Sequence, residues 1–206
     1  MHLKDQIDQG ARALGIELAA VARDKLAAYL RLLEKWNRSY NLTAIRGLEE
    51  MVPRHLLDSL AVAPFVAGPR VLDIGSGAGL PGIPLACARP ELLFTLLDSN
   101  AKKTRFLNQA VAELALANVS VVNARVEQFH PPEQFVTLLA RAWTAIPDML
   151  IRCRHLLAHG GRLLALKGAY PRNELAALPD TYAWQVERLT VPGLDAERHL
   201  VVITLK

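Results

Sequence analysis

Four glycines lie close together in the stretch VLDIGSGAGLPGIPLA, which begins at Val71 with an apolar segment. They are Gly75, Gly77, Gly79 and Gly82. A glycine-rich turn between a strand and a helix lets backbone N–H groups come close to a ligand. Asp98 ends the next apolar segment, LFTLLD, where a carboxylate can accept hydrogen bonds from ribose hydroxyls. The pattern predicts a nucleoside-containing ligand, and sites for dinucleotides and for S-adenosylmethionine share it.

The spacing of the glycines and the charge of a nearby side chain distinguish between these two ligands. The first three glycines follow the G-x-G-x-G spacing of methyltransferases, whereas the last three follow the G-x-G-x-x-G spacing of dinucleotide sites. The dinucleotide spacing begins inside the loop and puts Pro81 where its helix has to start. Asp73 lies two residues before Gly75, and its carboxylate would repel a pyrophosphate but suits a sulfonium or ammonium group. The stretch favours S-adenosylmethionine, with a dinucleotide as the alternative.

Further candidates follow the later predicted strands, because ligands in open α/β sheets lie outside the carboxyl ends of the strands. Val126 and Glu127 follow the third strand, where a methyltransferase holds the adenine ring. On spacing alone, Val126 serves equally well as a core residue and Glu127 as a solvated surface charge. Arg141 and Trp143 follow the fourth strand, where a methyl acceptor is held. Arg141 is the strongest single candidate, since a buried guanidinium needs partners.

The residues after the fourth strand also limit the kind of methyl acceptor. They read Ala-Arg-Ala-Trp, not the Asn/Asp-Pro-Pro-aromatic loop used to methylate exocyclic amines. Methylation at a pyrimidine C5 needs a cysteine nucleophile, but Cys87 and Cys153 both fall within predicted helices. We therefore expect an acceptor such as a ring nitrogen with a free lone pair, and no residue acting as acid, base or nucleophile. Catalysis then consists of holding donor and acceptor in line in a dry site.

The positions of apolar segments predict the elements that carry these residues. Seven strands are predicted at 70–75, 93–98, 119–124, 135–142, 161–168, 184–190 and 199–206, and helices at 18–36, 49–66, 81–88, 102–115 and 146–157. The expected fold is α/β, a Rossmann-like, mostly parallel seven-stranded sheet that ends in an antiparallel hairpin. Residues 1–67 are expected to form an N-terminal helical extension and 68–206 the main domain, together one compact unit.

The composition of the chain limits its number of domains and the kinds of metal, membrane and partner that it can bind. The chain has 206 residues, of which 51% are apolar, enough for one well-filled domain. Two cysteines give neither a disulfide framework nor a zinc site, and the six histidines are scattered without ligand spacing, so no metal is expected. No apolar run approaches the roughly 20 residues of a membrane span. We expect a cytoplasmic monomer away from membranes, and the net charge of +4 leans weakly towards a polyanionic partner.

Several longer motifs extend over nearly the whole chain: LEKWNRSYNLTAI, RHLLDSL, DIGSGAGLPGIPLA, FTLLDS followed by KKTRFL, ARVEQF, ALKG and ERHLVVI. Together they resemble the bacterial glucose-inhibited division protein B family, small-subunit ribosomal RNA methyltransferases that act on guanine N7. The resemblance implies a class I methyltransferase fold, S-adenosylmethionine as donor, and nucleotide 527 in the 530 loop of 16S rRNA, in the small ribosomal subunit, as acceptor. It also implies donor contacts at Gly75, Leu80, Val126, Glu127 and Arg141; Leu80 is indicated by the resemblance alone.

The chain departs from the family pattern at two positions. Val136 stands where the family usually has Asp, and Ala140 replaces the serine before Arg141. Position 136 opens the predicted strand, away from its carboxyl end, so the donor site is expected to be unaffected. Position 140 is nearer and puts the orientation of Arg141 in question.

Six basic side chains are candidates for contact with RNA phosphate, where cations give salt-dependent affinity. They are Arg54, His55, Lys102, Lys103, Arg105 and Lys167. For each, a solvated charge is an equally good interpretation, as is a helix pair such as Arg54 with Asp58. His55 also fits a purely hydrogen-bonding role on a helix face.

Three hypotheses follow from the sequence: an rRNA guanine-N7 methyltransferase, a nicotinamide-dependent oxidoreductase, and a catalytically silent rRNA-binding or assembly factor. The first predicts methyl transfer that depends on Gly75 and Arg141. The second predicts binding of a nicotinamide dinucleotide, and the third predicts salt-dependent ribosome binding without turnover of the methyl donor.

Overall fold

A computed structural model describes residues 2–206 and contains one seven-stranded sheet. Its strands are β1 (Arg70–Ile74), β2 (Leu93–Asp98), β3 (Val119–Asn123), β4 (Phe135–Arg141), β5 (Leu157–Lys167), β6 (Tyr182–Arg188) and β7 (His199–Leu205). Their order is β3-β2-β1-β4-β5-β7-β6. The first five strands run parallel, whereas β7 lies antiparallel between β5 and β6. The predicted hairpin at the sheet edge is thereby confirmed, as is the fold class.

The helices are α1 (Leu3–Ala13), α2 (Ala20–Tyr40), α3 (Leu48–Met51), α4 (Asp58–Leu60), α5 (Gly82–Ala88), α6 (Ala101–Glu113), α7 (Ile146–Cys153) and α8 (Arg172–Ala176). Sequence reasoning missed α1 and α8. Gly10, a weak helix former, interrupts the pattern of α1, but its missing side chain leaves room for Leu57. Within residues 2–206, no helix is long and apolar enough to cross a membrane.

The single helix predicted at 49–66 is irregular in the structure. A π-helix, Val52–Leu57, separates α3 from α4, and a 3₁₀-helix, Ala63–Phe65, follows. Pro53 lies in the π-helix and has no N–H to donate, which disrupts regular α-helical bonding there. The expected i,i+4 pair of Arg54 with Asp58 is not formed, because Asp58 pairs with two arginines from other parts of the chain.

The N-terminal helices and the sheet domain share a hydrophobic core. Leu26 and Leu30 of α2 belong to the same buried cluster as Ile83 of α5 and Phe106 of α6. The buried hydroxyl of Tyr29 also donates to the carbonyl oxygen of Ala78, at 2.7 Å. Helix α2 therefore supports the glycine-rich loop from behind. We propose that residues 1–67 and 68–206 fold as one unit.

Candidate active site

The glycine-rich loop after β1 separates two cavities at the carboxyl edge of the parallel strands. The larger has a volume of about 580 Å³ and the smaller of about 270 Å³. Gly75, Lys103 and Ala142 line both. The two cavities therefore meet at Gly75, where groups held in one can approach groups held in the other.

The four glycines of this loop have different surroundings. Gly75 and Gly77 have φ angles of +64° and +60° and line the larger cavity. A Cβ on Gly79 would meet the side chains of Ile83 and Leu107, and one on Gly82 would meet Leu96 and Asp73. Only the first two glycines thus bring backbone towards a cavity, and the last two permit close packing.

The surroundings of the glycines help to decide between the methyltransferase spacing and the dinucleotide spacing. In the dinucleotide spacing the second glycine, Gly79, has to let the backbone approach the pyrophosphate, but Gly79 lines neither cavity and packs against Ile83 and Leu107. Gly79 was predicted to contact the cofactor; the structure turns it towards α5 and α6. Leu80 does line the larger cavity. The geometry favours the methyltransferase spacing.

Asp98 connects the end of β2 to the glycine-rich loop. Its Oδ2 accepts a hydrogen bond from the Gly77 N–H at 2.9 Å, and its Oδ1 accepts one from the Asn100 N–H at 2.8 Å. The ammonium of Lys103 lies 3.9 Å from Oδ2. A carboxylate has about four acceptor positions, so these two backbone bonds leave capacity for ligand hydroxyls in the smaller cavity.

We expect Asp98→Asn to weaken donor binding by about 10- to 100-fold, a cost of about 1.4 to 2.8 kcal/mol. An amide has one oxygen, so the Gly77 or the Asn100 N–H would face an NH₂ group, and a ribose acceptor would also be lost. Titration calorimetry with S-adenosylhomocysteine measures the change. Asp24→Asn, which removes an exposed carboxylate on α2, serves as the matched control. Equal affinity of Asp98→Asn and the control would contradict this assignment.

Asp73 lies beneath the glycine-rich loop rather than beside the ligand space. It is 1% exposed, and its Oδ2 accepts a hydrogen bond from the Gly82 N–H at 3.0 Å. Its Oδ1 has no hydrogen-bond partner within residues 2–206. Burial raises the pKa of this carboxyl to about 7. The expected charge beside the ligand is corrected accordingly: Asp73 lines neither cavity and is partly protonated near neutral pH.

The raised pKa predicts that Asp73 makes the protein less stable as pH rises. Between about pH 4 and 7 the folded chain binds the Asp73 proton more tightly than the unfolded chain, so the unfolding free energy falls by up to about 1.4 kcal/mol per pH unit. Asp73→Asn removes this component, so its stability relative to the unaltered protein should increase across that interval. Urea unfolding at several pH values tests this. A difference that does not vary with pH would contradict a raised pKa.

The smaller cavity combines apolar and polar walls. Val126 is buried, and the indole of Trp143 lies against Gly75, with its Cδ1 3.3 Å from the position of an added Cβ. Glu127 is at the rim, where its Oε1 accepts from Arg152 Nη1 at 2.9 Å. Its own backbone N–H, and then Arg152, lower the pKa of Glu127. Apolar surfaces with a carboxylate at the edge suit an aromatic base, and Asp98 suits its ribose.

The larger cavity is rich in arginine. Arg141 Nη1 lies 3.4 Å from Asp58 Oδ2, while Arg198 Nε donates to Asp58 Oδ1 at 2.9 Å. All three residues line the cavity. Sequence reasoning found Arg141 but missed Asp58 as part of the site, and it missed Arg198. Both missed residues belong to the distinctive motifs RHLLDSL and ERHLVVI, which was the available signal.

His55 has the hydrogen-bonding role considered for it. Its Nε2 lies 2.7 Å from the hydroxyl oxygen of Thr43, which also accepts from the Ile45 N–H. Burial, and then the charge of Arg141, lower the pKa of His55 to about 4. The imidazole is therefore neutral near pH 7. It holds the loop of Thr43 and Ile45 that forms one wall of the larger cavity.

The remaining basic candidates divide into two groups. Arg54, Lys103 and Lys167 line the larger cavity. Lys167 is already paired, since its ammonium donates to Glu174 at 2.8 Å and to the Thr144 carbonyl at 3.2 Å. The structure does not bring all six together, because two exposed residues of α6, Lys102 and Arg105, lie outside both cavities. Residues 2–206 contain no cluster of three or more potential metal ligands.

Similar proteins were found for both the fold and the sequence. The solved structure of the O-methyltransferase TomG from Streptomyces achromogenes, in complex with SAM, matches with a TM-score of 0.62 at 13% identity, over 100% of this chain and 99% of that one. Fibrillarin from Aeropyrum pernix, bound to S-adenosyl-L-methionine, matches with a TM-score of 0.56 at 16% identity, over 68% of each chain. At these identities the likeness shows the fold, that of class I methyltransferases.

Sequence relatives are much closer. The chain is 51% identical over 207 residues to "Ribosomal RNA small subunit methyltransferase G" of Laribacter hongkongensis, with 100% of each chain covered. It is 52% identical over 196 residues to the protein of that name from Nitrosococcus oceani, covering 95% of this chain and 92% of the relative. The family model GidB, rRNA small subunit methyltransferase G, matches residues 22–201. The chain therefore belongs to the GidB family of rRNA small subunit methyltransferases, as the sequence motifs predicted.

Proposed function

We propose that this protein transfers a methyl group from S-adenosylmethionine to N7 of guanine 527, in the 530 loop of 16S rRNA. The observation that carries the proposal is the meeting of two cavities at Gly75, one suited to a nucleoside and the other lined by cations. Methyl transfer needs such an arrangement, because donor and acceptor must meet at near-attack distance. The names of the relatives support small-subunit rRNA as the substrate class.

The residues present fit the donor. The smaller cavity offers Val126, Glu127 and Asp98 to an adenosine, and the backbone of Gly75 and Gly77 leads from it into the larger cavity. Arg141 lies on that path and can meet the donor's carboxylate. When bound, S-adenosylmethionine supplies a methyl group on a positively charged sulfur. The chain's own residues bind and orient the groups around that methyl.

The cysteines of the chain and the groups that line the larger cavity support a methyl acceptor that needs no activation by a nucleophile or base. Cys87 and Cys153 are buried in the hydrophobic core, and burial raises the pKa of each thiol to about 12. His55 is occupied by Thr43, and Asp58 is paired with arginines. Guanine N7 carries a lone pair and no proton, so its methylation requires neither a nucleophilic residue nor a base. Orientation and exclusion of water are the contributions left to the protein.

The test is transfer of labelled methyl from S-adenosylmethionine to small ribosomal subunits from a strain that lacks the gene. Nucleoside analysis of the RNA then locates the label. We expect 7-methylguanosine confined to the 530 loop. Label in another nucleoside or loop would overturn the assigned position. Donor binding without any labelled RNA would overturn the acceptor and favour a silent binding factor.

We further propose that the protein acts as a cytoplasmic monomer on the small subunit or on an assembly intermediate of it. Labelling of naked 16S rRNA, of intermediates and of complete subunits in parallel distinguishes these substrates. Sedimentation of the protein alone tests the oligomeric state, and a dimer would overturn the monomer.

A further inference from the structure

One buried carboxylate connects three distant parts of the chain in the larger cavity. Asp58 comes from α4, Arg141 from the end of β4 and Arg198 from the residue before β7. The Asp58 side chain is 6% exposed, while those of Arg141 and Arg198 are 23% and 27% exposed. Each carboxylate oxygen pairs with a different guanidinium. The cluster carries one net positive charge and remains partly open to the cavity.

Both arginines keep N–H groups that are not used in contacts within residues 2–206 of the protein. A guanidinium has five N–H donors. Arg141 uses Nη1 for Asp58, whereas Arg198 uses Nε for Asp58 and Nη1 for the carbonyl of its neighbour Glu197, at 2.8 Å. Buried ion pairs are poor stabilisers because desolvation offsets much of their attraction. The arrangement is better explained by the orientation that it gives to the remaining N–H groups.

The two arginines face different neighbours. Arg141 is the last residue of β4, the strand that pairs with β1 beside the glycine-rich loop, which puts it on the donor side. Arg198 directly precedes β7, which is separated from β4 by β5, and Leu166, Leu189 and His199 line the cavity near that end of the sheet. A cation there can meet an anionic group of the acceptor while Arg141 contacts the donor.

We propose that Arg198 binds a phosphodiester of the acceptor RNA and that Asp58 is the positioning residue that fixes Arg198 relative to Arg141. This inference rests on the proposed function. The planar fork of arginine matches two phosphate oxygens, and Asp58 restrains that fork through Nε. A single carboxylate thereby sets the separation between the group that holds the donor and the group that holds the acceptor.

Arg198→Gln is the first test, because this partly exposed side chain can be replaced without emptying a core. We expect the KM for small subunits to rise by about tenfold and the slope of log affinity against log salt to decrease by about 1, as for the loss of one phosphate contact. The Kd of S-adenosylhomocysteine should stay within about twofold, since the proposal assigns Arg198 to the acceptor. Arg31→Gln, an exposed arginine on α2, is the matched control.

Asp58→Asn is the second test. Arg198 loses its restraint in this variant and contacts the phosphate less often, so KM should rise by about threefold or more and the salt slope should decrease by less than about 1, while kcat falls by about tenfold because the two arginines lose their fixed separation. When Arg198→Gln is added to Asp58→Asn, KM should rise by less than about threefold relative to Asp58→Asn alone. Such a reduced effect would show that the two residues act as a unit. A purely structural Asp58 would lower the melting temperature and leave the two effects independent.

Each result decides the inference. An Arg198→Gln protein with the KM and salt slope of the control would overturn the phosphate contact. Loss of donor affinity in that variant would place Arg198 on the donor side and overturn it equally. If the unaltered protein transfers no methyl to any small-subunit RNA, the proposed function fails instead. The salt slope measured by filter binding of labelled 16S rRNA then still tests Arg198, because it needs no turnover.

Discussion

Gly75→Ala is expected to reduce the affinity for the methyl donor by more than about 100-fold, a cost above about 2.7 kcal/mol. Gly75 lies where the two cavities meet, so a methyl group there would occupy space that donor and acceptor share. The added Cβ would also come within 3.3 Å of Trp143 Cδ1, closer than ordinary contact, and push the indole towards the smaller cavity. Titration calorimetry with S-adenosylhomocysteine measures the loss directly.

A substitution at a second glycine distinguishes damage to the donor site from the general cost of backbone strain. Gly75 has a φ of +64°, and an L-residue in this region costs about 1 to 2 kcal/mol wherever it occurs. Gly15 has a φ of +73° but nothing within 4 Å of an added Cβ. Gly15→Ala should therefore lose similar stability while binding the donor normally. If the two variants bound the donor equally well, Gly75 would not lie at the donor site.

The sequence was a good guide to the sheet, for a physical reason. Strands such as β2 are largely buried and read as nearly continuous apolar runs, and the structure places β2 at Leu93–Asp98, the residues predicted. The predictions were poorer where tertiary contacts determine local structure. The π-helix around Pro53 and the packing of Gly10 against Leu57 depend on neighbours far along the chain.

The candidate site likewise contains residues that local sequence patterns predict and residues that only tertiary contacts bring together. Residues tied to a strand end, such as Asp98 and Arg141, were found because the carboxyl ends of parallel strands meet at one edge. Asp58 and Arg198 were missed, because the contact between them joins residues 140 positions apart and leaves no periodic signal. Asp73 was placed on the correct strand, but the sequence did not show that its carboxyl lies beneath the loop.

The structure also shows where the two departures from the family pattern, at positions 136 and 140, lie in β4. Val136 lies near the start of β4, away from the carboxyl edge, in keeping with the prediction that it leaves the donor site unaffected. Ala140 is fully buried and pairs with Ile74 and Ala165 on the neighbouring strands. The side chain of Arg141 is held by Asp58 instead. We therefore propose that loss of the usual serine hydroxyl leaves the orientation of Arg141 intact.

Arg141→Gln should lower donor affinity by about 10- to 100-fold, and with it the rate of methyl transfer at donor concentrations below saturation. The guanidinium lines the larger cavity beside Gly75 and Gly77, and glutamine keeps much of the side-chain bulk but cannot pair with a carboxylate through charge. Stability should change little, because Asp58 retains its bond to Arg198.

Three measurements together test Arg141: the Kd of S-adenosylhomocysteine, the rate of labelling of small subunits, and the melting temperature. Arg141→Lys should give intermediate donor affinity, since it keeps the charge and loses the fork that can meet two carboxylate oxygens. Arg31→Gln again controls for the loss of one positive charge. Slower transfer with unchanged donor affinity would move Arg141 to the acceptor side. The division of labour between Arg141 and Arg198 would then be wrong, because both arginines of the Asp58 cluster would serve the RNA.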